Sequence, residues 1–311
     1  MMSFLVINLN RLGTHFRLFR ILVRMLRTHQ WSKNFLLFVP LLAAHWFLKT
    51  QAWHLSILAF FSFSLCASAA YIINDLLDLE TDRLHPRKRN RPIAAGLVPI
   101  WLGIIFAPLL LLLSLTLGFY VGEKFLFCLG IYFILTCSYS LFFKQIVLLD
   151  CLILAVLYTL RIIAGALAIN MILSFWLLDF SVFLFLSLAF VKRYAELKIK
   201  FVNSEEKIHG RAYYSSDASL IQIMGVSSGY LSVLVLALYL NSEAIEKLYR
   251  SPQCIWGAVL ILLFWISWVW IQAHRGKMHD DPLIFALQDK ASLFAGLLFV
   301  FVLMLGMVAW L

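Results

Sequence analysis

The stretch NDLLDLETDRLHPRKRNRPIAAG, residues 74–96, follows a long apolar run and spaces its aspartates by three and four residues. On a continuing helix Asp75, Asp78 and Asp82 share one face, and Asn74 stacks on Asp78. Three carboxylates this close repel one another unless a cation lies among them. Mg²⁺ bridged to a diphosphate is the natural candidate, because Mg²⁺ takes a few carboxylates together with substrate oxygens. We therefore predict a Mg²⁺ site on the three aspartates, with Asn74 orienting them.

Basic residues follow the aspartates directly. Pro86 is expected to end the helix, since it cannot donate the next backbone hydrogen bond. Behind it come four cations suited to phosphate oxygens, namely Arg87, Lys88, Arg89 and Arg91. We predict that Lys88 and Arg91 bind substrate phosphate. The alternative is a charged cytoplasmic loop of mixed sign, but such a loop needs neither the helical register nor the flanking Pro and Gly.

The composition indicates a membrane protein that crosses the bilayer several times. The 311 residues are 63% hydrophobic and 14% charged, with a net charge of +10. Soluble domains have about 25% charged and about 45–50% apolar residues, so an ordinary soluble globule, a disordered chain and a disulfide scaffold are excluded. The five cysteines form no CxxC pair, which favours buried hydrophobes over a zinc site. In such a protein the positive charge indicates topology and anionic partners, not nucleic acid.

Apolar windows long enough to cross a bilayer predict nine transmembrane helices and an all-α fold. The first window is short and contains Pro40, so its ends are the least defined. No signal peptide is expected, because arginines precede any apolar run. The predicted spans are 35–48, 55–73, 97–119, 125–143, 146–169, 172–191, 220–240, 254–273 and 291–311.

The basic residues predict the orientation. Of the 26 Lys and Arg, 21 fall on one side of the nine spans, four on the other, and Arg161 within a span. Because cytoplasmic segments carry the excess of Lys and Arg, the N-terminus and the long loops are predicted to be cytoplasmic, in the cell (inner) membrane. The predicted cytoplasmic segments are a basic amphipathic stretch over 1–34 and two motif loops over 74–96 and 192–219.

The pattern NDxxDxxxD followed by HPxKxxRPIAxG resembles the first aspartate-rich motif of the UbiA superfamily of intramembrane transferases. The resemblance covers the chain from Gln30 onward and implies one domain over residues 1–311. It also implies a central cavity, open to lipid, beneath a cytoplasmic cap. Members of this superfamily use Mg²⁺ to hold a diphosphate donor while a group is attached to, or taken from, a polyprenyl chain.

The second motif loop contains VKRYAELKIKFVNSEEKIHGRAYYSSD, residues 191–217. Prenyltransferases of the superfamily usually carry a second acidic motif here, whereas only Glu196 lies near the expected place. KRYAEL and HGRAYY are similar to the decaprenyl-phosphate phosphoribosyltransferase branch, as are HQWSKN at 29–34, YSLFFK at 139–144 and DPLIFALQDKAS at 281–292. The resemblance implies a catalytic or metal-binding role for Glu196. It also implies phosphate binding by Lys33, Lys144, Lys192, Arg193 and Tyr194.

Arg161 is predicted to lie inside a span, in the apolar stretch 149–168. An arginine within the membrane is costly and usually faces a cavity or a partner. Asp150 is eleven residues earlier and lies about 16 Å away along one helix, too far for a direct pair. We predict that Arg161 binds phosphate, and pairing with Asp179 or with another helix is the alternative.

Three functions remain open at this point. The first is transfer of 5-phosphoribose from phosphoribosyl diphosphate to a polyprenyl phosphate, with release of diphosphate. The second is prenyl transfer from a polyprenyl diphosphate to an aromatic or other lipophilic acceptor, such as 4-hydroxybenzoate. The third is a transporter without chemistry, which the clustering of acidic residues in the cytoplasmic loops disfavours. The missing second acidic motif favours the first, since a ribosyl donor and a phosphorylated acceptor together bring several anions to the site.

Overall fold

The computed structural model describes residues 20–84, 88–199, 212–246, 248–278 and 281–308. Across these ranges the chain is helical and contains no strand, which confirms the predicted all-α fold. Short 3₁₀ helices cover Thr28–Phe38, Lys88–Asn90, Phe143–Gln145, Ser215–Asp217 and Pro252–Ile255. The α-helices are α1 (Val39–Ala43), α2 (Thr50–Leu77), α3 (Leu79–Leu84), α4 (Ile100–Val121), α5 (Glu123–Leu141), α6 (Leu149–Ala168), α7 (Phe175–Ile199), α8 (Ala218–Leu240), α9 (Glu243–Glu246), α10 (Trp256–His274), α11 (Pro282–Gln288) and α12 (Lys290–Val308).

Eight helices of the described ranges are long and apolar enough to cross a membrane, namely α2, α4, α5, α6, α7, α8, α10 and α12. They correspond to eight of the nine predicted spans. Their large apolar side chains are widely exposed, as expected of surfaces that face lipid. The chain is therefore an integral membrane protein with several spans. The central cavity and the cytoplasmic cap remain predictions.

The predicted first span, 35–48, is not an α-helix of membrane length. Thr28–Phe38 is a 3₁₀ helix, and only Val39–Ala43 is α-helical. Pro40 lies in the first turn of this short helix and supplies no N–H to continue the preceding hydrogen-bond pattern. The prediction of nine continuous α-helical spans is therefore wrong at this segment. A 3₁₀ helix rises about 2.0 Å per residue, whereas an α-helix rises about 1.5 Å. A 3₁₀ segment is therefore longer than an α-helix with the same number of residues.

This segment lies antiparallel along α2. Successive residues of the segment contact successively earlier residues of α2, through side-chain hydrogen bonds of 3.0 and 2.9 Å and then a ring contact at 6.0 Å. The contacts follow α2 over roughly 22 Å of its length. In chain order they join Trp31 to Ser68, Asn34 to Ser64 and Phe38 to Trp53.

Contacts divide the chain into two compact units. Unit 1 comprises Met1–Ser140 with Ala164–Met171, and unit 2 comprises Leu141–Ile163 with Ile172–Leu311. The expectation of a single domain remains a prediction. In unit 1, α2 packs along α4, and two serines on these helices exchange side-chain hydrogen bonds to each other's carbonyl oxygens at 2.8 and 2.6 Å. Small polar residues are common where membrane helices approach closely.

In unit 2, α7 packs against α8 and α10. The Ser187 hydroxyl donates to the Gly225 carbonyl at 2.7 Å and accepts from the Trp270 indole N–H at 3.1 Å. A side chain on Gly225 would collide with that indole, so only glycine permits this approach. Helix α7 continues to Ile199, so the first residues of the predicted loop 192–219 are helical. Residues 200–211 of that loop, like 85–87 and 1–19, lie outside the described ranges.

Candidate functional site

Two of the predicted metal-binding aspartates meet at the C-terminal end of α2. Asp75 is 4% exposed and Asp82, on α3, is 1% exposed. Arg91 joins them, because its Nη1 lies 3.1 Å from Asp75 Oδ1 and forms a closer ion pair with Asp82 Oδ2. The ammonium group of Lys88 lies 3.9 Å from Asp82 Oδ1. Unit 1 thus brings the predicted carboxylates and the predicted phosphate-binding cations into one group, the acidic cluster.

Asp78 marks a turn between the two aspartates. It caps α2 with φ −91° and ψ 11°, so the predicted continuous helix is interrupted at this residue. Its backbone N–H donates to the Asn74 carbonyl at 2.9 Å, and its carbonyl accepts from the Asp82 N–H at 2.8 Å. Asp78 and Asn74 are both half-buried. The turn keeps all three aspartates within about two helical turns of one another.

The acidic cluster fits a divalent cation that arrives with a phosphorylated substrate. Asp82 Oδ1 is buried and accepts no hydrogen bond from the residues that the structure describes, which is a costly state for a carboxylate oxygen. Among the residues that the structure describes, no three His, Cys, Asp or Glu side chains converge as a complete metal site. Mg²⁺ commonly uses only one or two carboxylates when substrate phosphates supply the other oxygens. Asp75 and Asp82 match that requirement.

Arg27 also belongs to the acidic cluster, although the sequence predicts only a role in topology for it. Its guanidinium forms an ion pair with Asp75 and lies 4.9 Å from the centre of the Tyr71 ring. Burial lowers the pKa of Arg27, although Asp75 opposes this effect. Its backbone adopts the left-handed conformation, φ 50° and ψ 46°, which is uncommon for a residue other than glycine. Its position as the last arginine before the first apolar run was the available signal.

Lys33 and Lys144 lie on 3₁₀ helices. Lys33 is 8% exposed on the segment Thr28–Phe38 of unit 1. Lys144 is half-buried on the turn Phe143–Gln145 of unit 2. Their binding of phosphate remains a prediction.

In unit 2, Arg193 lies between two carboxylates. Its side chain is fully buried, with Nη2 paired to Asp150 Oδ2 and Nη1 paired to Glu196 Oε2. Glu196 differs from its partners, because 34% of its side chain is exposed whereas Asp150 is completely buried. A guanidinium enclosed in this way favours a role in holding protein carboxylates over the predicted contact with substrate phosphate.

Tyr213 contacts Asp150, the buried carboxylate that pairs with Arg193. Its hydroxyl donates to Asp150 Oδ1 at 2.6 Å and accepts from the Leu148 backbone N–H at 2.8 Å. The Cys151 backbone N–H donates to the same Asp150 oxygen at 2.8 Å. Burial raises the pKa of Tyr213, so the hydroxyl remains protonated and able to donate. The sequence pattern relates Asp150 only to Arg161 and predicts no role for Tyr213.

Arg161 and Lys192 belong to a second polar group of unit 2. The Tyr158 hydroxyl donates to both Asp281 carboxylate oxygens at 3.0 and 2.8 Å, and Lys192 Nζ lies 3.7 Å from Asp281 Oδ2. Arg161, 5% exposed, donates to the Leu157 carbonyl and lies 5.4 Å from the centre of the Tyr158 ring. Tyr158 and Asp281 are not among the site residues predicted from the sequence.

Tyr194 faces α10. It is 4% exposed, and its hydroxyl shares a 2.9 Å hydrogen bond with His274 Nδ1. Lys198, one turn later, donates to the His274 carbonyl. These contacts favour a packing role for Tyr194 over the predicted phosphate contact. Asp179, the alternative partner considered for Arg161, is exposed near the start of α7.

The chain resembles known proteins in sequence. It is 38% identical over 280 residues to the uncharacterized protein y4nM of Sinorhizobium fredii, covering 88% of this chain and 53% of that protein. It thus spans about half the length of that relative. It is 36% identical over 275 residues to the nodulation protein NoeC of Azorhizobium caulinodans, covering 86% and 87% of the two chains. The decaprenyl-phosphate phosphoribosyltransferase of Mycolicibacterium smegmatis is 37% identical over 183 residues, 57% of each chain.

A solved structure and a family model point to the same family as these relatives. A UbiA homolog from Archaeoglobus fulgidus, solved bound to GPP and Mg²⁺, superposes with a TM-score of 0.68 and covers 92% of this chain and 99% of its own. At 16% identity this likeness shows the fold alone. The UbiA prenyltransferase family matches residues 35–281, most of the chain. The expected resemblance is confirmed, and the chain belongs to the UbiA prenyltransferase family.

Proposed function

We propose that the protein is a Mg²⁺-dependent intramembrane transferase that moves 5-phosphoribose from phosphoribosyl diphosphate to a polyprenyl phosphate and releases diphosphate. The observation that carries this proposal concerns Glu196. Only this acidic residue lies near the expected place of a second acidic motif, and it is paired with the buried Arg193. The similarity to the Mycolicibacterium phosphoribosyltransferase supports the donor and the acceptor. The Archaeoglobus homolog bound to Mg²⁺ supports the metal.

The acidic cluster is proposed to bind the diphosphate end of the donor. Asp75, Asp78 and Asp82 hold Mg²⁺, and Asn74 orients them. Lys88 and Arg91 bind oxygens of the diphosphate, because they already lie beside the carboxylates. When bound, Mg²⁺ neutralises the negative charge of the leaving group. The Asp82 oxygen that accepts no hydrogen bond from the described residues supports this assignment.

The cations of the chain suit the remaining anions of the reaction. A ribosyl donor carries a 5-phosphate besides its diphosphate, and a polyprenyl phosphate adds a third anionic group. Lys33, Lys144, Arg161 and Lys192 are proposed to bind these phosphates. Arg193 and Tyr194, which are buried, are better suited to hold neighbouring side chains.

The chemistry exchanges one bond to the anomeric carbon for another. The bond from C1 to the diphosphate oxygen breaks, and its electron pair leaves with the diphosphate. An oxygen of the acceptor phosphate forms the new bond to C1, through a transition state with oxocarbenium character. The acceptor is already anionic, so no strong general base is required. Basic groups fixed in place beforehand stabilise the departing charge.

We further propose that the protein lies in the cytoplasmic (inner) membrane with its N-terminus and its two motif loops at the cytoplasmic face. This orientation is supported by the 21-to-4 distribution of Lys and Arg. A soluble phosphorylated sugar donor reaches a cytoplasmic site without crossing the bilayer. The polyprenyl acceptor reaches it from within the bilayer.

The proposal is tested with purified protein in detergent, Mg²⁺, phosphoribosyl diphosphate and a short polyprenyl phosphate. Mass spectrometry is expected to detect a polyprenyl phosphoryl phosphoribose that requires Mg²⁺. Asp78→Ala is expected to abolish the product while the protein still inserts and folds. Asp179→Ala removes an exposed carboxylate at the start of α7 and serves as the matched control with normal turnover.

Prenyl transfer is the second candidate, supported by the Archaeoglobus homolog that was solved bound to GPP. It predicts diphosphate release from an allylic diphosphate with 4-hydroxybenzoate and no turnover of the ribosyl donor. That result, or normal ribosyl transfer by Asp78→Ala, would overturn the proposal. Transport without chemistry predicts that neither donor releases diphosphate.

A further inference from the structure

Arg27 occupies a turn of unit 1 that its residue type does not favour. Residues 20–25 are helical, and Arg27 separates them from the 3₁₀ helix Thr28–Phe38. Its left-handed backbone, φ 50° and ψ 46°, suits glycine, whereas other residues keep it only where the surrounding structure holds them. An arginine in place of the more favourable glycine indicates that its side chain has a role at this turn.

Two side-chain hydrogen bonds hold this turn. The Ser68 hydroxyl donates to the carbonyl of Leu26, the residue directly before the turn, at 2.8 Å. The same hydroxyl accepts from the Trp31 indole N–H at 3.0 Å. Carbonyls at the end of a helix have no partner within that helix, so Ser68 satisfies one of them. Because Ser68 is completely buried, water does not compete for this bond.

One face of α2 contacts Arg27 from its backbone to its guanidinium. Ser68, Tyr71 and Asp75 are spaced by three and four residues, so they follow this face over about 10 Å. Ser68 holds the backbone beside Arg27, and the Tyr71 ring centre lies 4.9 Å from the guanidinium carbon. Asp75 pairs with the guanidinium itself. The side chain of Arg27 therefore runs along α2 from the turn to a carboxylate of the acidic cluster.

The two arginines of the acidic cluster contact the same oxygen of Asp75. Arg27 Nη2 pairs with Oδ1, and Arg91 Nη1 lies 3.1 Å from that oxygen. A carboxylate held at one oxygen keeps the other oxygen in a fixed position. Partners behind a metal ligand act in this way, because they orient the ligand without contacting the metal.

We propose that Ser68, Trp31 and Arg27 are positioning residues that orient Asp75 for Mg²⁺. Ser68 and Trp31 fix the turn, and the turn directs the Arg27 guanidinium onto the carboxylate. The inference rests on the proposed function for the metal and adds to it how one of the metal-binding carboxylates is held. Ser68 and Trp31 carry no charge, so a change at either tests the position of Arg27 without altering the charge of the site.

The test measures how tightly the purified protein in detergent binds Mn²⁺ together with methylenediphosphonate, a diphosphate analogue that does not turn over. Mn²⁺ replaces Mg²⁺ because electron paramagnetic resonance distinguishes its free and bound forms. Arg27→Gln is expected to weaken binding on the order of 10- to 100-fold, the usual effect of removing a partner behind a metal ligand. Ser68→Ala, one step further from the carboxylate, should weaken it by about 5- to 10-fold. Trp31→Phe should weaken it by less, because Ser68 still reaches Leu26.

Ser64→Ala is the matched control for Ser68→Ala. Ser64 is completely buried on the same helix and accepts a 2.9 Å hydrogen bond from the Asn34 side chain, so it also joins α2 to the segment Thr28–Phe38. Both alanine variants should lower the unfolding temperature, but only Ser68→Ala should weaken binding, because only Ser68 reaches the turn at Arg27. Equal losses of binding would attribute the effect to packing of the whole segment and overturn the proposal.

Double variants test whether Ser68 acts through Arg27 and Asp75. Adding Ser68→Ala to Arg27→Gln, or to Asp75→Asn, which keeps Asp78 and Asp82, should change the binding by less than twofold. A full further loss in the Arg27→Gln background would mean that Ser68 acts by another route. A full further loss in the Asp75→Asn background would mean that Arg27 acts on the phosphates and not on the carboxylate. Either result contradicts the proposal.

The outcomes separate this inference from the function on which it rests. If the wild type does not bind Mn²⁺ with methylenediphosphonate, the metal site of the proposed function falls, and the inference falls with it. If the wild type binds this probe but transfers no ribose, only the assigned donor falls. If the wild type binds the probe and both Ser68→Ala and Trp31→Phe bind it equally well, only the positioning role falls.

Discussion

One carboxylate oxygen of Asp82 is buried and accepts no hydrogen bond from the described residues. The other oxygen is paired with Arg91. Asp82→Asn keeps the shape and removes the charge. We expect turnover to fall on the order of 10²- to 10³-fold, because a proposed Mg²⁺ ligand is lost, and with it part of the stabilisation of the departing diphosphate. The Mg²⁺ concentration for half-maximal rate should rise as well. Initial rates of diphosphate release over a Mg²⁺ series measure both quantities.

Glu80 provides the matched control for Asp82. It lies on the same short helix and is exposed, so Glu80→Gln should change the rate by less than twofold. Thermal unfolding separates a loss of fold from a loss of metal, since Asp82→Asn also leaves Arg91 with a weaker partner. A variant Asp82→Asn with normal turnover and normal Mg²⁺ dependence contradicts the assignment.

At the residue scale, the sequence identifies groups that one helical repeat brings together. Asp75 and Asp82 were found because their spacing places them on one face, and Arg91 is nine residues from its partner. Arg27 is 48 residues from Asp75, Tyr213 is 63 from Asp150, and Tyr158 is 123 from Asp281. No local pattern encodes such pairs. They were missed because only the packing of whole helices creates them.

At the scale of elements, the contact between Gly165 of α6 and the segment Thr28–Phe38 depends on a missing side chain. A Cβ on Gly165 would collide with the backbone of Leu37, which cannot move aside as a flexible side chain can. Gly165→Ala is expected to lower the free energy of unfolding by about 1–3 kcal/mol. Thermal unfolding in detergent measures the change.

Gly130 on α5 is the control for this prediction. A Cβ there meets nothing within 4 Å, so Gly130→Ala should leave the stability equal or raise it by up to about 1 kcal/mol, because alanine favours helix. Equal unfolding temperatures for the two alanine variants would mean that Gly165 of α6 does not pack closely against the segment Thr28–Phe38.

Asp289 links α11 to α12, and its pKa predicts a pH dependence. Burial acts to raise the pKa, but hydrogen bonds from the Ser292 N–H and hydroxyl and from the Trp268 indole outweigh it and hold the pKa below its ordinary value. A carboxyl whose pKa is depressed by folding stabilises the fold above its unfolded pKa of about 3.9 and ceases to do so as the pH falls through the folded pKa.

The variant Asp289→Asn tests this dependence. At pH 7 its unfolding temperature is expected to fall by about 2–4 °C, because hydrogen bonds to a charged acceptor are stronger than those to a neutral amide. The difference from the wild type should shrink as the pH drops below about 4, where the unfolded carboxyl becomes protonated, and should vanish below the depressed pKa of the folded carboxyl. Asp179→Asn, an exposed change of the same charge, should show no such difference. A difference in unfolding temperature that stays constant with pH would rule out the carboxylate as its source.

For the whole molecule, composition and charge predict the helical membrane fold, because lipid constrains every exposed helix to be apolar. Eight spans were therefore recognised. The first was misassigned as an α-helix because hydropathy reports burial and not hydrogen-bond pattern, whereas Thr28–Phe38 is a 3₁₀ helix that packs along α2. The charge bias required a crossing there, and the antiparallel contacts along α2 agree with it.

The last prediction concerns that crossing. Arg27 contacts Asp75 near the end of α2, while Lys49 precedes the start of this 28-residue helix, about 42 Å away. If α2 spans the bilayer, residues 28–49 must return to its other side. In sealed right-side-out vesicles, with the five native cysteines replaced, a membrane-impermeant maleimide should label Lys49→Cys at once. Arg89→Cys, exposed beside the acidic cluster, should react only after permeabilisation.

Two further positions control for access. Arg20→Cys should behave as Arg89→Cys does, because the N-terminal segment and residues 88–91 meet through Arg24 and Asn90. Lys124→Cys, one of the four cations on the sparse side, should behave as Lys49→Cys does. If Arg20→Cys and Lys49→Cys, which flank the 3₁₀ segment, instead react under the same conditions, the segment does not cross. The chain would then span the membrane eight times. The 21-to-4 distribution of Lys and Arg, which assumes nine spans, would no longer hold.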